Sequence, residues 1–226
     1  MYTIFLNYLK KMRLTYKKTC IRPCKLPKVD VQEEFIIKIN KYDNNKHYKL
    51  FFMDPMHLQH NVVNAKMYQP IGEKHTIKVK SNSGRKRISI IGALNVKEFR
   101  LINNITEKKC NAIRVIELFT KIRKRYNKFQ KIVMVLDNAS YNHAKIVKKF
   151  AEENNIILLY LPPYSPNLNI IERLWKFSKK HLVHNKYYEV FNLFKKEVKM
   201  FYENIYQFYG ELKNILNMKF QILKPI

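Results

Sequence analysis

A short segment in the middle of the chain constrains the fold more than any other. Residues 132–136 (IVMVL) form an apolar run, residues 141–153 have the apolar spacing of a helix, and residues 156–161 (IILLYL) form a second apolar run. A strand, a helix and a strand within about 30 residues make a βαβ unit, whose two strands are parallel and whose crossover is right-handed. We therefore predict an α/β fold around a buried sheet.

Strands and helices are also predicted on either side of this unit. The apolar run 49–54 indicates a buried strand that ends at Asp54, and segments 77–80 and 88–94 complete a meander of three strands. Residues 15–30 are basic, hold two prolines and lack periodicity, which is typical of a linker. Helices are predicted over residues 1–14, 31–41, 112–127, 187–217 and through Glu172 towards His181.

Two of these helices carry apolar stripes that predict how they pack. In the tail 187–217, apolar residues recur in steps of four and three, which fits a coiled-coil seam or a helix packed on its own domain; we expect the second. On the helix of Glu172, the stripe should face the sheet with Glu172 at its border, and Trp175 is expected in the core rather than as a platform for bases. That stripe consists of Leu168, Ile171, Leu174, Trp175 and Leu182.

The charge of the chain indicates its partners. Its 226 residues include 44 Lys and Arg against 17 Asp and Glu, a formal net charge of +27. Such a chain binds polyanions, because each neutralised phosphate releases condensed counterions. The abundance of Lys, Asn, Ile, Tyr and Phe is also the bias that an AT-rich genome imposes on any protein. Charge therefore favours a nucleic-acid partner but does not establish one.

Cysteine use and hydropathy bear on the compartment. Cys20, Cys24 and Cys110 have no zinc-binding spacing with nearby histidines, so reduced thiols are the ordinary interpretation. No apolar run approaches the roughly 20 residues of a membrane span, and polar residues interrupt the N-terminus too early for a signal peptide. We expect a soluble, intracellular chain.

Three acids stand where an α/β sheet would place a metal site. Asp54 and Asp137 each follow an apolar strand, and Glu172 lies on the border of a helix that faces the sheet. Mg²⁺ prefers carboxylate oxygens and keeps several waters, so three acids with DNA phosphate would suit it. Each acid also has an ordinary interpretation. Asp137 can cap the next helix, Glu172 can pair with Lys176, and Asp54 can be a turn residue.

Segments around these acids resemble a known family. Residues 135–143 (VLDNASYNH) and 160–175 (YLPPYSPNLNIIERLW), with 34 residues between Asp137 and Glu172, closely resemble the second and third catalytic blocks of the DDE superfamily of transposases. The resemblance is to the mariner-like group and its bacterial insertion-sequence relatives. Residues 50–54 (LFFMD), which precede the meander, are similar to the first block.

The resemblance implies an RNase H-like fold, a mixed five-stranded sheet with helices on both faces. It implies that Asp54, Asp137 and Glu172 are the catalytic, metal-binding triad and hold two Mg²⁺ or Mn²⁺ ions. The expected activity is metal-dependent phosphodiester hydrolysis and strand transfer of transposon DNA ends, by a homodimer on double-stranded DNA with a target that is commonly TA. The expected place of action is the bacterial cytoplasm, at the nucleoid.

Several basic and polar residues are candidates for contact with DNA. Some lie in the basic linker, some on the meander beside the proposed site, and some near Asp137. A solvated turn remains the alternative for the meander residues, and a position on the helix surface is the alternative for His143. The candidates are Arg22, Lys25, Arg85, Lys86, Arg87, Asn138 and His143.

The sequence departs from the family in its first residues and at two positions. Relatives begin with paired helix-turn-helix domains, whereas residues 1–30 here resemble only the end of that region and its basic linker. We expect a DDE catalytic domain over 31–185 and a helical extension over 186–226. Pro55 stands where relatives commonly carry Glu, and the motif before Glu172 lacks a proline that many relatives have next to Ile.

Two other functions are kept as alternatives. The chain could be a catalytically silent, transposase-derived protein that binds DNA through its Lys and Arg residues. It could also be an RNase H-like nuclease that cleaves DNA without strand transfer.

Overall fold

A mixed five-stranded sheet forms the centre of the structure, a computed structural model that describes residues 7–9, 11–14, 25–66, 68–69 and 76–224. The strands in chain order are β1 (Tyr48–Gln59), β2 (Arg87–Asn95), β3 (Arg100–Thr106), β4 (Lys131–Leu136) and β5 (Ile156–Tyr160). Across the sheet they stand in the order β3-β2-β1-β4-β5. β1 is parallel to β4 and β4 to β5, whereas β2 pairs antiparallel with both β1 and β3. The predicted mixed sheet is confirmed.

Helices cover both faces of this sheet. Alternate strand residues point to opposite faces. Phe52 and Val133 belong to an apolar cluster that includes helices α1, α4, α5 and α6, whereas Phe51 and Met134 belong to a second cluster with α2 and α3. The helices are α1 (Val29–Asp43), α2 (Ala112–Arg123), α3 (Lys145–Glu153), α4 (Ile171–Leu182), α5 (Phe191–Glu203) and α6 (Tyr209–Ile215), with 3-10 turns at Ser140–His143, Pro166–Leu168 and Ile205–Phe208.

The strands β4 and β5 and the helix α3 form the predicted βαβ unit. Ile132 of β4 is the parallel partner of Ile156 of β5. The single helix predicted from residue 141 is instead a 3-10 turn followed by α3. The reason is local, because Ala144 between them has an extended backbone (φ −57°, ψ 138°) that no helix can continue through.

The strand β1 does not end at Asp54, as predicted, but continues to Gln59. Its pairing with β4 stops at Phe52, and beyond that residue only β2 accompanies it. The backbone carbonyl of Met53 points to the side of β1 on which β4 no longer pairs with it. There it accepts a hydrogen bond from a side chain of the loop before α4. Because alternate residues of a strand point the same way, the missing N–H of Pro55 lies on this open side and no bond to β2 is lost.

The predicted meander is present as β1, β2 and β3, but the strand predicted at 77–80 is wrong. Residues 76–80 are exposed and have no regular structure. The third strand of the meander is β3 instead. Its sequence, RLINNIT, carries polar residues at neighbouring positions, which weakens the alternation of a half-buried strand. It lies at the edge of the sheet, where one side needs no strand partner.

The C-terminal helices pack on the face that carries α1 and α4, as we expected in preference to a coiled coil. Phe194, Val198 and Leu212 are buried there. The division into units at residues 30 and 185 remains a prediction. Of the helix predicted over 1–14, residues 7–9 and 11 are helical. Across the described parts of the chain, no helix combines the length and the apolar character that a membrane crossing needs.

Candidate active site

Asp54 and Asp137 lie side by side because of the register between β1 and β4. The last parallel pair joins Phe52 to Val135, and each aspartate follows two residues later. Neighbouring strands lie about 4.8 Å apart, so this edge of the sheet presents both carboxylates. Asp137 directly follows the carboxyl end of β4, where open α/β sheets bind ligands.

The loop between β5 and α4 brings Glu172 to the same edge. Glu172 lies in the first turn of α4. Three residues earlier, buried Asn169 donates from Nδ2 to the carbonyl oxygen of Met53 at 3.1 Å, which ties the loop to β1 beside Asp54. The apolar stripe of α4 packs on the sheet as predicted, and its buried members are Leu168, Ile171, Leu174, Trp175 and Leu182.

The three acids line one pocket of about 410 Å³. Asn138 and Asn169 also line it, and the loop 161–166 forms the rest of its wall. A larger cavity of about 770 Å³ lies elsewhere, against β3 and α5, and lysines form much of its lining. The acids therefore meet in a concave site of their own, although they come from a mid-strand position, a strand end and a helix.

The only tryptophan in the sequence holds Asp54 in place. Trp175 is 1% exposed, and its Nε1 donates to Oδ2 of Asp54 at 3.1 Å. The ring lies against Gly92, the partner of Asp54 on β2, and a Cβ at this glycine would stand only 2.7 Å from Cη2 of the ring. Glycine at this position therefore gives the indole the room that it needs to reach Asp54.

A buried amide holds Asp137. Its Oδ1 accepts hydrogen bonds from Nδ2 of Asn142 at 2.7 Å and from the backbone N–H of Ala139 at 3.2 Å. Asn142 is fully buried, and its carbonyl oxygen accepts a bond from the hydroxyl of Tyr160 at 3.0 Å. The bond to Ala139 closes a local turn rather than capping a helix, since α3 begins only at Lys145.

The electrostatics of the pocket follow from crowding acids together. Burial, and then the charges of Glu172 and Asp137, raise the pKa of Asp54 to about 8, against the opposing effects of Trp175 and Lys179. The pKa of Glu172 is also raised, because its carboxyl is partly withdrawn from water; Lys179 opposes this shift and Asp137 adds to it. Three carboxylates that repel one another in a pocket are an arrangement that a cation would stabilise.

The structure does not show the alternative that the sequence left open for Glu172, a pairing with Lys176. In the part of the chain that the structure describes, Glu172 makes no ion pair with Lys176. The positive charge that opposes the rise in the pKa values of Asp54 and Glu172 comes from Lys179, two turns further along α4. Lys179 is exposed, so its ammonium is also open to a phosphate.

The basic residues predicted beside the site lie further from it. Arg87 is the β2 partner of Gln59, five residues along β1 from Asp54, which corresponds to about 17 Å at about 3.4 Å per residue. The exposed residues Arg85 and Lys86 precede it. The expectation that these three residues lie beside the acids is therefore wrong, because β1 is longer than predicted. Arg22 lies outside the described residues, and Lys25 is exposed where they resume.

Asn138 lies in the pocket of the acids, and His143 lies next to Asn138. Asn138 lines the pocket and donates from Nδ2 to the carbonyl oxygen of Leu161 at 2.7 Å. His143 is 3.3 Å from Oδ1 of Asn138 through its Nε2 and stacks on the ring of Tyr160, with 4.1 Å between ring centroids. These contacts fix the side chain of Asn138 in the pocket and that of His143 beside it.

Sequence reasoning missed three residues of this neighbourhood. Asn169 and Asn142 hold the loop and Asp137, and Lys179 supplies the nearby positive charge. The first two stand inside the family-like segments 160–175 and 135–143, so their positions within those segments were the available signal. Lys179 offered none, because the chain holds 44 Lys and Arg residues.

Comparison with known proteins identifies the family. Residues 49–194, which include all three acids and nearly the whole sheet, match the family described as DDE superfamily endonuclease. The chain belongs to the DDE superfamily of endonucleases. The DDE superfamily and the enzyme class predicted from the sequence, an endonuclease, are confirmed for residues 49–194.

Solved structures share the fold of this DDE endonuclease domain. The Mos1 mariner paired end complex with Mn matches with a TM-score of 0.69 at 17% identity, over 95% of this chain and 68% of that one. The catalytic domain of Mos1 mariner transposase matches with a TM-score of 0.58 at 14% identity, over 87% of this chain and 94% of that one. The RNase H-like fold is thereby confirmed.

A shorter match in sequence is to the uncharacterized protein y4pE/y4sA of Sinorhizobium fredii (strain NBRC 101917 / NGR234). The two are 33% identical over 57 residues, which is 25% of this chain. The match spans 40% of the length of that curated relative.

The donors in the DDE pocket suit a hard divalent cation. Besides the three carboxylates, Oδ1 of Asn169 is buried at the pocket and has no hydrogen-bond partner among the described residues. Within those residues, no three or more His, Cys, Asp or Glu side chains are grouped so that they could hold a metal ion. Mg²⁺ is commonly held by one or two carboxylates with water and substrate phosphate. Pairs of the acids, rather than a closed cage, therefore fit such an ion.

Proposed function

We propose that this chain is the catalytic core of a transposase, which hydrolyses and transfers the phosphodiester bonds of transposon DNA ends with Asp54, Asp137 and Glu172 as its catalytic, metal-binding acids. The observation that carries the proposal is the meeting of these acids in one pocket, from three separate elements, together with an unpartnered amide oxygen. Membership of the DDE endonuclease family supports the same chemistry.

The proposed cofactor is a pair of Mg²⁺ or Mn²⁺ ions. Solved structures of the Mos1 transposase, whose fold this chain shares, were obtained with Mg and with Mn. The chemistry that two divalent ions supply when bound is activation of the attacking oxygen and stabilisation of the leaving oxygen in an in-line displacement. We propose that all three acids contribute to holding them.

The chain's own residues prepare this site. Trp175 fixes one oxygen of Asp54, and Asn142 fixes one oxygen of Asp137, so each carboxylate has a set direction. Asn169 holds the loop before Glu172 against β1. Lys179 is placed to donate hydrogen bonds to a DNA phosphate, and among the described residues it forms no close ion pair with the acids. Preorganised groups of this kind lower the cost of reaching the transition state.

The proposed substrate is double-stranded DNA at transposon ends, with a target that is commonly TA, and the proposed assembly is a homodimer on DNA. Support comes from the net charge of +27 and from the fold shared with Mos1 paired-end and strand transfer complexes. We further propose action at the bacterial nucleoid, in keeping with the partial match to a protein from a bacterium.

We also propose that Arg22, Lys25, Arg85, Lys86 and Arg87 contact DNA phosphates outside the pocket, and that Asn138 and His143 contact DNA at its rim. The test is the salt dependence of DNA binding. Each lost phosphate contact should reduce the slope of log K against log salt by about 0.9. Arg85→Ala and Lys86→Ala should each do so, whereas unchanged slopes would remove these two residues from the interface.

The function is tested by incubating the full chain with DNA that carries inverted repeats, in Mg²⁺, in Mn²⁺ and in EDTA, and by separating nicked from joined products. We expect cleavage and joining with either metal and neither with EDTA. Cleavage without joining would show an RNase H-like nuclease instead. Binding with steep salt dependence and no cleavage would show a silent, transposase-derived DNA-binding protein.

A further inference from the structure

The residue after Glu172 is bonded to the far C-terminus of the chain. Through Nη1, the guanidinium of Arg173 donates to the carbonyl oxygens of Ile215 at 3.1 Å and Asn217 at 3.0 Å, and to Oδ1 of Asn217 at 3.3 Å. Through Nη2, it donates to the carbonyl oxygen of Lys219 at 2.5 Å. One side chain on α4 therefore binds three residues, the last residue of α6 and two residues of the tail that follows it.

A second set of hydrogen bonds joins the same tail to the residues that precede Glu172 in the chain. Gln32 of α1 is fully buried, and its Nε2 donates to the carbonyl oxygens of Pro27 at 3.1 Å and Leu223 at 2.7 Å. Its Oε1 accepts from the backbone N–H of Leu223 and from Nδ2 of Asn167, each at 3.1 Å. Asn167 also donates to the carbonyl oxygen of Gln221 at 2.7 Å.

These bonds fix the segment that carries Glu172 at points on both sides of it. Asn167 precedes Glu172 by five residues, and Arg173 follows it directly. Asn169, between them, is tied to β1. The tail residues 217–224 have no regular structure of their own, so their course depends on such bonds and on apolar packing, for example of Phe220 near Phe52 at 6.3 Å between ring centroids.

We propose that residues 217–223 form a C-terminal brace that positions Glu172, with Arg173, Gln32 and Asn167 as positioning residues. The proposal rests on the proposed role of Glu172 as a metal-binding acid. Displacement of Glu172 by a fraction of a bond length would weaken its hold on a cation, because outer contacts set the direction of the ligands. None of the three positioning residues touches the substrate in this account.

The guanidinium group is the feature of the brace that a conservative change can remove. Its planar fork reaches several carbonyl oxygens at once, whereas a lysine ammonium cannot reproduce that fork although it keeps the charge. Arg173→Lys therefore loosens the brace while it leaves the net charge of the chain unchanged. Glu172 itself, the pocket and the apolar packing of α4 remain.

The chain offers a matched control on the opposite face of the sheet. Arg123, in the last turn of α2, donates from Nη1 and Nη2 to the carbonyl oxygens of four residues far from the acids. Arg123→Lys breaks the same kind of arrangement and should lower the stability to a similar degree. Any effect that follows from lost stability alone will therefore appear in both variants.

The test is a Mn²⁺ titration of the full chain without DNA, followed by the fluorescence of Trp175, the only tryptophan. Paramagnetic Mn²⁺ quenches a fluorophore next to its site, and the indole is bonded to Asp54. We expect Arg173→Lys to weaken Mn²⁺ binding by about tenfold. Arg123→Lys should bind Mn²⁺ like the wild type, and melting temperatures should fall similarly in both variants.

Equal Mn²⁺ affinity in Arg173→Lys and wild type would overturn the brace, and so would equal weakening in Arg123→Lys. Glu172→Gln separates this outcome from a failure of the proposed function. If Glu172→Gln weakens Mn²⁺ binding and Arg173→Lys does not, the brace alone fails. If Glu172→Gln binds Mn²⁺ like the wild type, the metal-binding role of Glu172 fails and the brace falls with it.

Discussion

The indole Nε1 of Trp175 and the carboxylate Oδ2 of Asp54 are joined by a hydrogen bond of 3.1 Å. This bond connects the centre of the apolar core to the proposed active site. A buried indole N–H requires an acceptor, and a half-buried carboxylate is stabilised by donors or a cation. Each group therefore satisfies the other, and the direction of Asp54 depends on how Trp175 is packed.

Replacement of Trp175 tests this dependence. Trp175→Phe keeps an aromatic ring in the core but removes the donor, so we expect DNA cleavage to slow by about tenfold to about 100-fold. The control is Phe119→Leu, which removes aromatic volume from the opposite face of the sheet. Rates should be measured at a temperature where both variants are folded. Equal slowing in both would show that the indole matters only for packing.

The space around the indole is tested by replacing Gly92, with Gly210 as the control. Gly92→Ala places a Cβ 2.7 Å from the Trp175 ring, whereas a Cβ at Gly210 meets no atom within 4 Å. We expect Gly92→Ala to lower the free energy of unfolding by about 1–3 kcal/mol through overpacking. Gly210→Ala, in α6, should raise it by up to about 1 kcal/mol. Urea unfolding measures both, and a neutral Gly92→Ala would contradict the tight packing.

Glu98 should make stability depend on pH. Burial raises its pKa, but bonds from Lys49 at 2.6 Å and from the hydroxyl of Tyr126 at 2.6 Å, with the charges of Lys49 and Arg100, outweigh burial and lower it overall. A lowered folded pKa adds stability that is complete above the ordinary pKa and is lost as pH falls through the lowered value. The ion pair of Lys49 and Glu98 contributes about 0.2–1 kcal/mol to the free energy of unfolding, because both side chains are partly exposed.

The measurement is unfolding of Glu98→Gln against the wild type in steps from neutral to acidic pH. The difference between the two should be largest at neutral pH and should disappear once the wild-type carboxyl is protonated. Glu153→Gln is the control, since its pairing with Lys149 is long and exposed, at 3.9 Å. A difference for Glu98→Gln that does not change with pH would contradict the electrostatic origin.

The sequence predicted those elements in which the spacing of the apolar residues and the length of the segment indicate the same secondary structure. The βαβ unit was predictable because apolar runs and a helical stripe follow one another closely, and Asp137 directly follows β4 as expected. The continuation of β1 past Asp54 was not predictable. Pro55 indicates the end of a strand unless it is known that one side of the strand has no partner there. The edge strand β3 was missed because its polar residues hide the alternation.

The site was predictable in its acids but not in their supports. Asp54, Asp137 and Glu172 stand in recognisable segments. The bond from Trp175 to Asp54 depends on the space above Gly92, which only the sheet register reveals. The contacts of Arg173 with the tail join residues more than forty positions apart, and no local pattern marks such a pair.

The catalytic role of the three acids is tested by the rate of Mg²⁺-dependent DNA nicking by Asp137→Asn beside the wild type. This change keeps the size of the side chain and removes its charge. Asp30→Asn, on the exposed side of α1, is the control. We predict that Asp137→Asn loses about 10³-fold or more of the nicking rate while Asp30→Asn stays close to the wild type. Equal nicking by Asp137→Asn and the wild type would show that Asp137 is not a catalytic acid.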